Sequence, residues 1–315
     1  MATLKELAQV KERFVGGHRL CAGCGHGISV RMVLNALENH ENVVVGCATG
    51  CLEVASTIYP YTAWNCSFIH NAFENAGATI SGVEAAYRSL KKQGKLEDDF
   101  KFVAFGGDGG TYDIGLQSLS GAMERGHNIV YVCLDNEAYM NTGIQRSSAT
   151  PIGADTTTSP AGKVVPGKQQ PRKDLAAVMA AHNIPYVAQT AISSWQDVHS
   201  KAKKAFEVDG PAFLNILSPC PRGWRYNTPD IVELVKLAVE TRFWPLFEVE
   251  NGKWKLNKKP KKYVPIEEFL KPQGRFRHLF APGNEHIIQR IQEEVDQRWL
   301  ALLERCGEKP ELPPR

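Results

Sequence analysis

An aspartate set among glycines, Gly106-Gly107-Asp108-Gly109-Gly110, is followed 27 positions after Gly109 by a polar stretch carrying Asp135, Asn136 and Asn141. Glycines at a strand-to-helix turn let the backbone approach a phosphate, and the free amides at the helix start favour an anion. A carboxylate in the same turn faces that anion only if a cation sits between them. Asp108, the amide oxygen of Asn136 and a backbone carbonyl, with two diphosphate oxygens and a water, complete the octahedron magnesium demands. A glycine turn alone would equally serve a dinucleotide. Here the spacing is not GxGxxG, and an acid inside the turn would repel a pyrophosphate that lacked a metal.

The second set of reactive residues is sulfur. Cys21-Ala22-Gly23-Cys24-Gly25 pairs two cysteines with glycines that let backbone amides turn toward them, an arrangement shared by thiolate-bound zinc and iron-sulfur clusters. A redox dithiol or two packed thiols are the competing readings of that pair. Cys51 is the better third ligand, since Thr49-Gly50 frees the backbone beside it, and Cys47 reads as a packed thiol. Cys220, in Ser218-Pro219-Cys220-Pro221, is the fourth candidate. Cys66, Cys133 and Cys306 read as structural, and His26 as a packed or solvated histidine. Four thiolates suit a 4Fe-4S cluster or a structural zinc.

These residues need elements to bring them together. Apolar runs at 42–45, 101–105, 128–134, 186–189 and 212–217 read as buried strands, and helical spacing recurs at 28–37, 71–90, 114–123, 174–181 and 194–208. Strands alternating with helices predict an α/β fold, a mostly parallel sheet with helices on both faces and right-handed crossovers. The candidate residues then fall at the carboxyl ends of strands, where such sheets hold ligands. Residues 58–70, aromatic and broken by Pro60, read as a loop or interface. Residues 150–173, rich in Pro, Gly and Thr, read as a long ordered loop over the site or an interface arm. Residues 1–224 form the expected cofactor domain. Residues 225–315 form an expected carboxyl-terminal extension, with a helix over 228–241, a hairpin about Asn251-Gly252 and a helix over 284–305, packing on the core or on partner subunits.

Composition excludes several alternatives. The chain of 315 residues is 43% hydrophobic and 23% charged with a net charge of +3, which gives a full core, and its basic residues are scattered apart from Lys258, Lys259, Lys261 and Lys262, which read as a solvated basic face rather than a nucleic-acid groove. No apolar run approaches the roughly 20 residues of a membrane span, and residues 1–14 lack the apolar centre of a secretory signal. A cytoplasmic location is therefore expected. The eight cysteines then argue for ligation rather than a disulfide framework.

Together, CAGCG at 21–25, ATGC at 48–51, the GGDGG turn, DNEAYMNTGIQRSSATP at 135–151, SPCP at 218–221 and QGRFRHL at 273–279 resemble the thiamine-diphosphate-binding β subunits of the 2-oxoacid:ferredoxin oxidoreductases, pyruvate type, essentially end to end. The resemblance implies the thiamine-diphosphate-binding fold and a heteromeric enzyme that oxidatively decarboxylates a small 2-oxoacid and passes electrons singly toward ferredoxin. It implies that Cys21, Cys24, Cys51 and Cys220 bind one 4Fe-4S cluster, and that Asp108, Asn136 and the Ala138 carbonyl hold Mg2+. Gly50, Cys51, Gly107, Asp108, Gly109, Asn136, Ala138, Asn141 and Thr142 would line the cofactor, with Asn141 beside the thiazolium as the catalytic candidate. One diphosphate-binding unit is present, so the glutamate that activates the aminopyrimidine is expected on a partner subunit. A further chain or domain is expected to carry ferredoxin-type 4Fe-4S clusters. Pyruvate with coenzyme A, or oxalate without it, remain open as substrates. A non-oxidative thiamine decarboxylase or synthase with structural zinc is the alternative.

Overall fold

Uninterrupted apolar strands have no face to show to water, so they must be covered on both sides. The strands Val130–Asp135 (β4), Tyr186–Ala191 (β5) and Ala212–Leu217 (β6) are buried at every position. In the computed structural model, which describes residues 3–38, 40 and 42–314, they form the centre of one sheet. The other strands are Asn42–Ala48 (β1), Ser67–Asn71 (β2), Phe100–Gly107 (β3), Phe247–Glu250 (β7) and Lys253–Leu256 (β8). Their order is β2-β1-β3-β4-β6-β5-β7-β8, parallel from β2 to β5 and antiparallel beyond.

The period of two along each strand divides the core into two layers. Val130, Val132 and Leu134 face the layer formed with the helices Gly25–Asn35 and Trp195–Glu207. Tyr131 and Cys133 face the other layer, with Ala76–Lys92, Leu116–Glu124 and Leu175–Ala180. The expected α/β architecture with helices on both faces is the one observed. Among the described residues no helix is long and apolar enough to cross a membrane.

Two local expectations change. Residues 67–70, read as part of a loop, and Asn71, read as the start of a helix, form the parallel edge strand β2, paired from Ser67 with Val44 to Asn71 with Ala48, and the helix begins at Ala76 instead. Half its pattern faces solvent, so neither an apolar run nor a clean alternation marks it. The helix expected over 114–123 is preceded by a π-helical turn, Gly109–Ile114, which bonds Gly115 N–H to Gly110 O at 2.7 Å before Leu116–Glu124 continues. Such wide turns have no hydrophobic period of their own and recur at functional sites.

The segment beyond residue 224 continues the sheet. Its hairpin turns at Asn251 and Gly252, both with positive φ, and β7 pairs antiparallel with β5. Glu248 of β7 fastens this junction, accepting hydrogen bonds from Tyr186 Oη at 2.8 Å, Lys204 Nζ at 2.9 Å and Asn257 Nδ2 at 3.2 Å. Burial works to raise its carboxyl, but the hydrogen bonds from Lys204, Tyr186 and Asn257 prevail and hold it at about 2. A depressed carboxylate stabilises the fold above its ordinary value near 4.5, and that contribution is lost as pH falls toward 2. Glu248→Gln is expected to destabilise the protein by about 1–2 kcal/mol at neutral pH. Thermal denaturation, with faster amide exchange in β7 than in β4, checks it.

Candidate functional site: a cation clamp beside four thiols

Sheet order decides what can meet at the carboxyl edge. β1, β3, β4 and β6 are consecutive in the sheet, so their ends present, side by side, Gly50-Cys51, Gly107-Asp108-Gly109, Asn136 and Ser218-Pro219-Cys220. Adjacent strands lie about 4.8 Å apart, so all four ends fall within roughly 14 Å before their loops move.

The glycines of the turn serve different neighbours. A Cβ on Gly109 would lie 2.4 Å from the Tyr139 ring, and one on Gly110 would lie 2.8 Å from the Phe73 carbonyl. Those two are needed for packing, and Tyr139 Oη also donates to Gly109 O at 2.7 Å. Gly107 has nothing within 4 Å, and Gly50 meets only its own strand's Ala48 O at 4.0 Å. These two leave open space at the strand ends.

Asp108 is fully buried. It accepts from Ser147 Oγ at 2.5 Å and from the Asn136 backbone N–H at 3.3 Å. Among the described residues no lysine, arginine or histidine forms an ion pair with it. Burial, and then the negative charge of Asp135, raise its carboxyl well above the usual range. An ionised carboxylate in this position requires a cation. With its amide oxygen on this side, Asn136 Oδ1 lies 2.9 Å from Asp108 Oδ1 and 2.8 Å from the Ala138 carbonyl oxygen; with the amide turned over, its nitrogen donates to both. Octahedral bonds of 2.0–2.1 Å set adjacent ligand oxygens about 2.9 Å apart, so the three residues fit a magnesium-sized ion.

The chain through these ligands is held from below. Glu137 has φ of 66° and is fully buried. Its carboxylate accepts from Arg172 Nη1 at 2.7 Å and Arg275 Nη2 at 2.6 Å. Arg172 also donates to Asp135 Oδ2 at 2.5 Å and to Tyr112 Oη at 2.9 Å, while Tyr112 donates to Asp135 Oδ2 at 2.7 Å. Burial opposes charge on Arg172, but Asp135, Tyr112 and Glu137 outweigh it and keep the guanidinium well above its usual value. Two acids and two guanidiniums balance one another, which leaves Asp108 as the uncompensated charge. Asp135 is thereby a structural acid. Arg275 stacks 3.8 Å over the Trp224 ring, and Trp224 Nε1 donates to the Asn136 carbonyl at 2.7 Å.

The thiols gather next to this loop. Gly25 N–H bonds Pro219 O at 2.9 Å, Tyr226 Oη donates to Gly23 O at 2.5 Å, and the Ser29 and Ser218 hydroxyls meet at 2.7 Å, zipping the Cys24 segment to the Cys220 segment. A Cβ on Gly25 would meet Ser218 backbone at 2.6 Å, which is why the motif needs glycine there. Burial pushes the Cys24 thiol up to about 12, against a hydrogen bond from the His26 backbone, and Cys220, Cys51 and Cys21 push it further. Cys51 is likewise raised to about 12 by burial and then by Cys220, Cys21 and Asp108. Burial raises Cys220 too, opposed by the Gly223 and Arg222 amides. Amides point at two of the sulfurs, as around thiolates held on a metal: the His26 N–H at Cys24, and the Gly223 N–H at Cys220 at 3.5 Å. Among the described residues no three His, Cys, Asp or Glu side chains are placed to hold a single ion.

Other candidates lie elsewhere. Asn141 and Thr142 are exposed, and Thr142 Oγ1 donates to Gln145 Oε1 at 2.5 Å. Thr142 borders an open depression of about 470 Å3 with Asp113, Tyr139, Gln145, Arg146 and Thr158. Cys47 and Cys133 are buried, Cys66 and Cys306 half-buried. His26, read as packed or solvated, is buried and hydrogen-bonded to Asn136, with Nε2 3.0 Å from the amide nitrogen. Burial lowers its value to about 4, opposed by the Leu134 carbonyl, so the ring is neutral. Sequence reasoning left Arg172, Trp224 and Arg275 unassigned. The one available signal was that two of them stand in or beside motifs already singled out, SPCP and QGRFRHL.

Residues 19–216 match the family described as thiamine pyrophosphate enzyme, C-terminal TPP binding domain. The chain is 54% identical over 309 residues to pyruvate synthase subunit PorB of Thermotoga maritima, covering 95% of each protein. It is 45% identical over 297 residues to ketoisovalerate oxidoreductase subunit VorB of Pyrococcus abyssi, covering 93% of each. A 2-oxoglutarate:ferredoxin oxidoreductase from Magnetococcus marinus shares the fold, with a TM-score of 0.55 at 24% identity over 75% of this chain and 81% of that one.

Arg275→Met leaves half of the Glu137 charge unpaired in the interior. It is expected to cost about 3 kcal/mol, measured by denaturant unfolding of the purified chain or of its complex. Arg275→Lys should recover only part of this, because an ammonium cannot both pair with Glu137 and lie flat on Trp224.

Proposed function

Because the chain belongs to the thiamine-diphosphate-binding β subunits of the 2-oxoacid:ferredoxin oxidoreductases, we propose that it binds Mg2+ and thiamine diphosphate at the β3 and β4 ends and carries one 4Fe-4S cluster on Cys21, Cys24, Cys51 and Cys220. Pyruvate, with coenzyme A as acyl acceptor, is the proposed substrate, from the names of relatives at 54% and 51% identity. The carrying observation is Asp108: a fully buried carboxylate without a positive partner among the described residues, with one end of the Asn136 amide 2.9 Å from it and 2.8 Å from the Ala138 carbonyl oxygen.

Thiamine diphosphate, when bound, supplies the carbon nucleophile and the electron sink for loss of carbon dioxide. The residues of this chain do the rest by position and charge. Asp108, Asn136 and the Ala138 carbonyl would hold the cation that anchors the diphosphate, while Gly107 and Gly50 keep the adjacent space clear. The Arg172 and Arg275 network fixes the backbone that carries two of those ligands. Asn141, on the exposed rim, would reach substrate only where a partner subunit closes the pocket. The activating glutamate belongs to that partner, since Glu137 is fully engaged by two arginines.

Four cysteines would take electrons one at a time beside this site, which suits a one-electron carrier such as ferredoxin. A single tetrahedral zinc would need sulfurs about 3.8 Å apart. Zinc has no redox chemistry, whereas a cluster can accept single electrons, and that difference favours the cluster reading. Further ferredoxin-type clusters are proposed on another subunit, and the complex is proposed to work in an anaerobic cytoplasm. Family membership sets aside the non-oxidative alternative.

The complex purified without oxygen is expected to reduce a viologen dye with pyruvate and coenzyme A at least tenfold faster than with 3-methyl-2-oxobutanoate, 2-oxoglutarate or oxalate, by the same steady-state assay. Preference for another acid would overturn the substrate assignment. Asp108→Asn should lower turnover by more than about a hundredfold, as expected for loss of an electrostatic anchor, yet leave the low-temperature paramagnetic signal of the dithionite-reduced complex intact. Cys51→Ser should do the opposite to that signal, and stoichiometric zinc with no cluster signal in the unaltered complex would sink the cluster assignment.

A further inference from the structure

Asn136 is gripped from two sides. Its side-chain nitrogen faces His26 Nε2 at 3.0 Å, and its backbone carbonyl accepts from Trp224 Nε1 at 2.7 Å. His26 stands in the first turn of the helix Gly25–Asn35, immediately after Cys24 and Gly25. Trp224 closes the short helix Pro221–Trp224, which begins at Cys220, and its N–H bonds Cys220 O at 3.0 Å. Both contacts therefore come from the segments that carry cysteines.

An amide has two different ends, and which end faces the oxygens matters here. With the nitrogen toward His26, Asn136 Oδ1 lies 2.9 Å from Asp108 Oδ1 and 2.8 Å from the Ala138 oxygen. Turned over, the nitrogen would donate to those same oxygens, and the oxygen would accept from His26 Nε2 at 3.0 Å. The second arrangement satisfies its atoms by hydrogen bonds and shuts a cation out. His26 selects between them: a lone pair on Nε2 holds the open arrangement, and a proton on Nε2 holds the closed one. His26 Nδ1 is buried and has no hydrogen-bond partner among the described residues, so the contact at Nε2 is the ring's polar contact. A proton on Nδ1 leaves Nε2 as the acceptor.

We propose that His26 and Trp224 are positioning residues that hold Asn136 with its oxygen toward the cation, so that cation affinity at the diphosphate site depends on the two cysteine-bearing segments. The inference rests on the reading of Asp108, Asn136 and Ala138 as cation ligands, and adds the device that orients the middle one. It couples the thiol region to the cofactor region through Asn136.

The test is a calorimetric titration of the assembled, anaerobically purified complex, stripped of divalent ions by a chelator, with Mg2+ at fixed thiamine diphosphate. His26→Phe removes the acceptor, and Trp224→Phe removes the donor while keeping an aromatic ring. Each is expected to raise the Kd for Mg2+ about tenfold, a larger factor than the fall in turnover at saturating Mg2+ and cofactor. His26→Gln, whose carbonyl oxygen accepts the same N–H, should return the Kd to within about threefold of wild type. Asp108→Asn is the reference. If it leaves Mg2+ affinity unchanged, the cation-site reading fails and the proposal falls with it. If Asp108→Asn weakens Mg2+ binding while Trp224→Phe and His26→Phe keep the wild-type Kd, the cation site stands and the positioning role is overturned. Should His26→Phe not assemble, Trp224→Phe decides by itself, and a wild-type Kd there overturns the proposal.

Discussion

A buried run of alternating charge, Asp135, Arg172, Glu137 and Arg275, holds the chain where β4 ends, and the rest of the site takes its geometry from that run. Burying four charges is expensive, and none is tolerable without its neighbours. The arrangement forces Glu137 into a left-handed backbone conformation that non-glycine residues seldom adopt. On either side of Glu137 stand Asn136 and Ala138, and one end of the Asn136 amide lies 2.9 Å from Asp108 and 2.8 Å from the Ala138 carbonyl oxygen. The network closes on itself electrostatically, so the negative charge of Asp108 is left facing the open edge of the sheet. The proposed cation clamp is, in this sense, what remains once the interior charges have been paired.

The second constraint is strand order. β1, β3, β4 and β6 are neighbours although they are not consecutive in the chain, because β5 is laid down outside β6. Loops from 49–51, 107–109, 136–138 and 218–220 therefore crowd one stretch of the carboxyl edge. The helix Gly25–Asn35 is packed on the same core layer as the helix Trp195–Glu207, which brings Cys21 and Cys24 over the end of β6. The proposed cluster thiols and the proposed diphosphate clamp become adjacent through the same topology. The carboxyl-terminal segment shares in this: its hairpin extends the sheet, and its Arg275 reaches the charge network directly.

Much of the site could be read from the chain because its chemistry is local. Two cysteines two residues apart, an acid inside a glycine turn and an amide after the next strand each carry meaning within a few residues. The buried strands were equally plain, since a parallel sheet covered on both faces writes continuous apolar runs. Less was legible where a residue's role depends on a distant partner. β2 is an edge strand with a mixed pattern, and the π-helical turn at Gly109–Ile114 has no periodicity to announce it. Arg172 lies in a loop of prolines and glycines, and nothing near it names Asp135 or Glu137 as its counter-ions. His26 could be taken for a packed histidine because its hydrogen-bond partner is 110 positions away.

The sequence by itself determined the fold class, the family and the candidate ligands, since strand patterning and short motifs are encoded within a window of a few residues. Tertiary structure alone decided that the glycines split between packing and open space, that Asp135 and Glu137 are paired with arginines while Asp108 has no positive partner among the described residues, and that Asn136 meets side chains from two remote segments. The reason is physical. Charge balance and amide orientation are properties of a three-dimensional neighbourhood, and they exist only after the sheet order has set β3, β4 and β6 side by side.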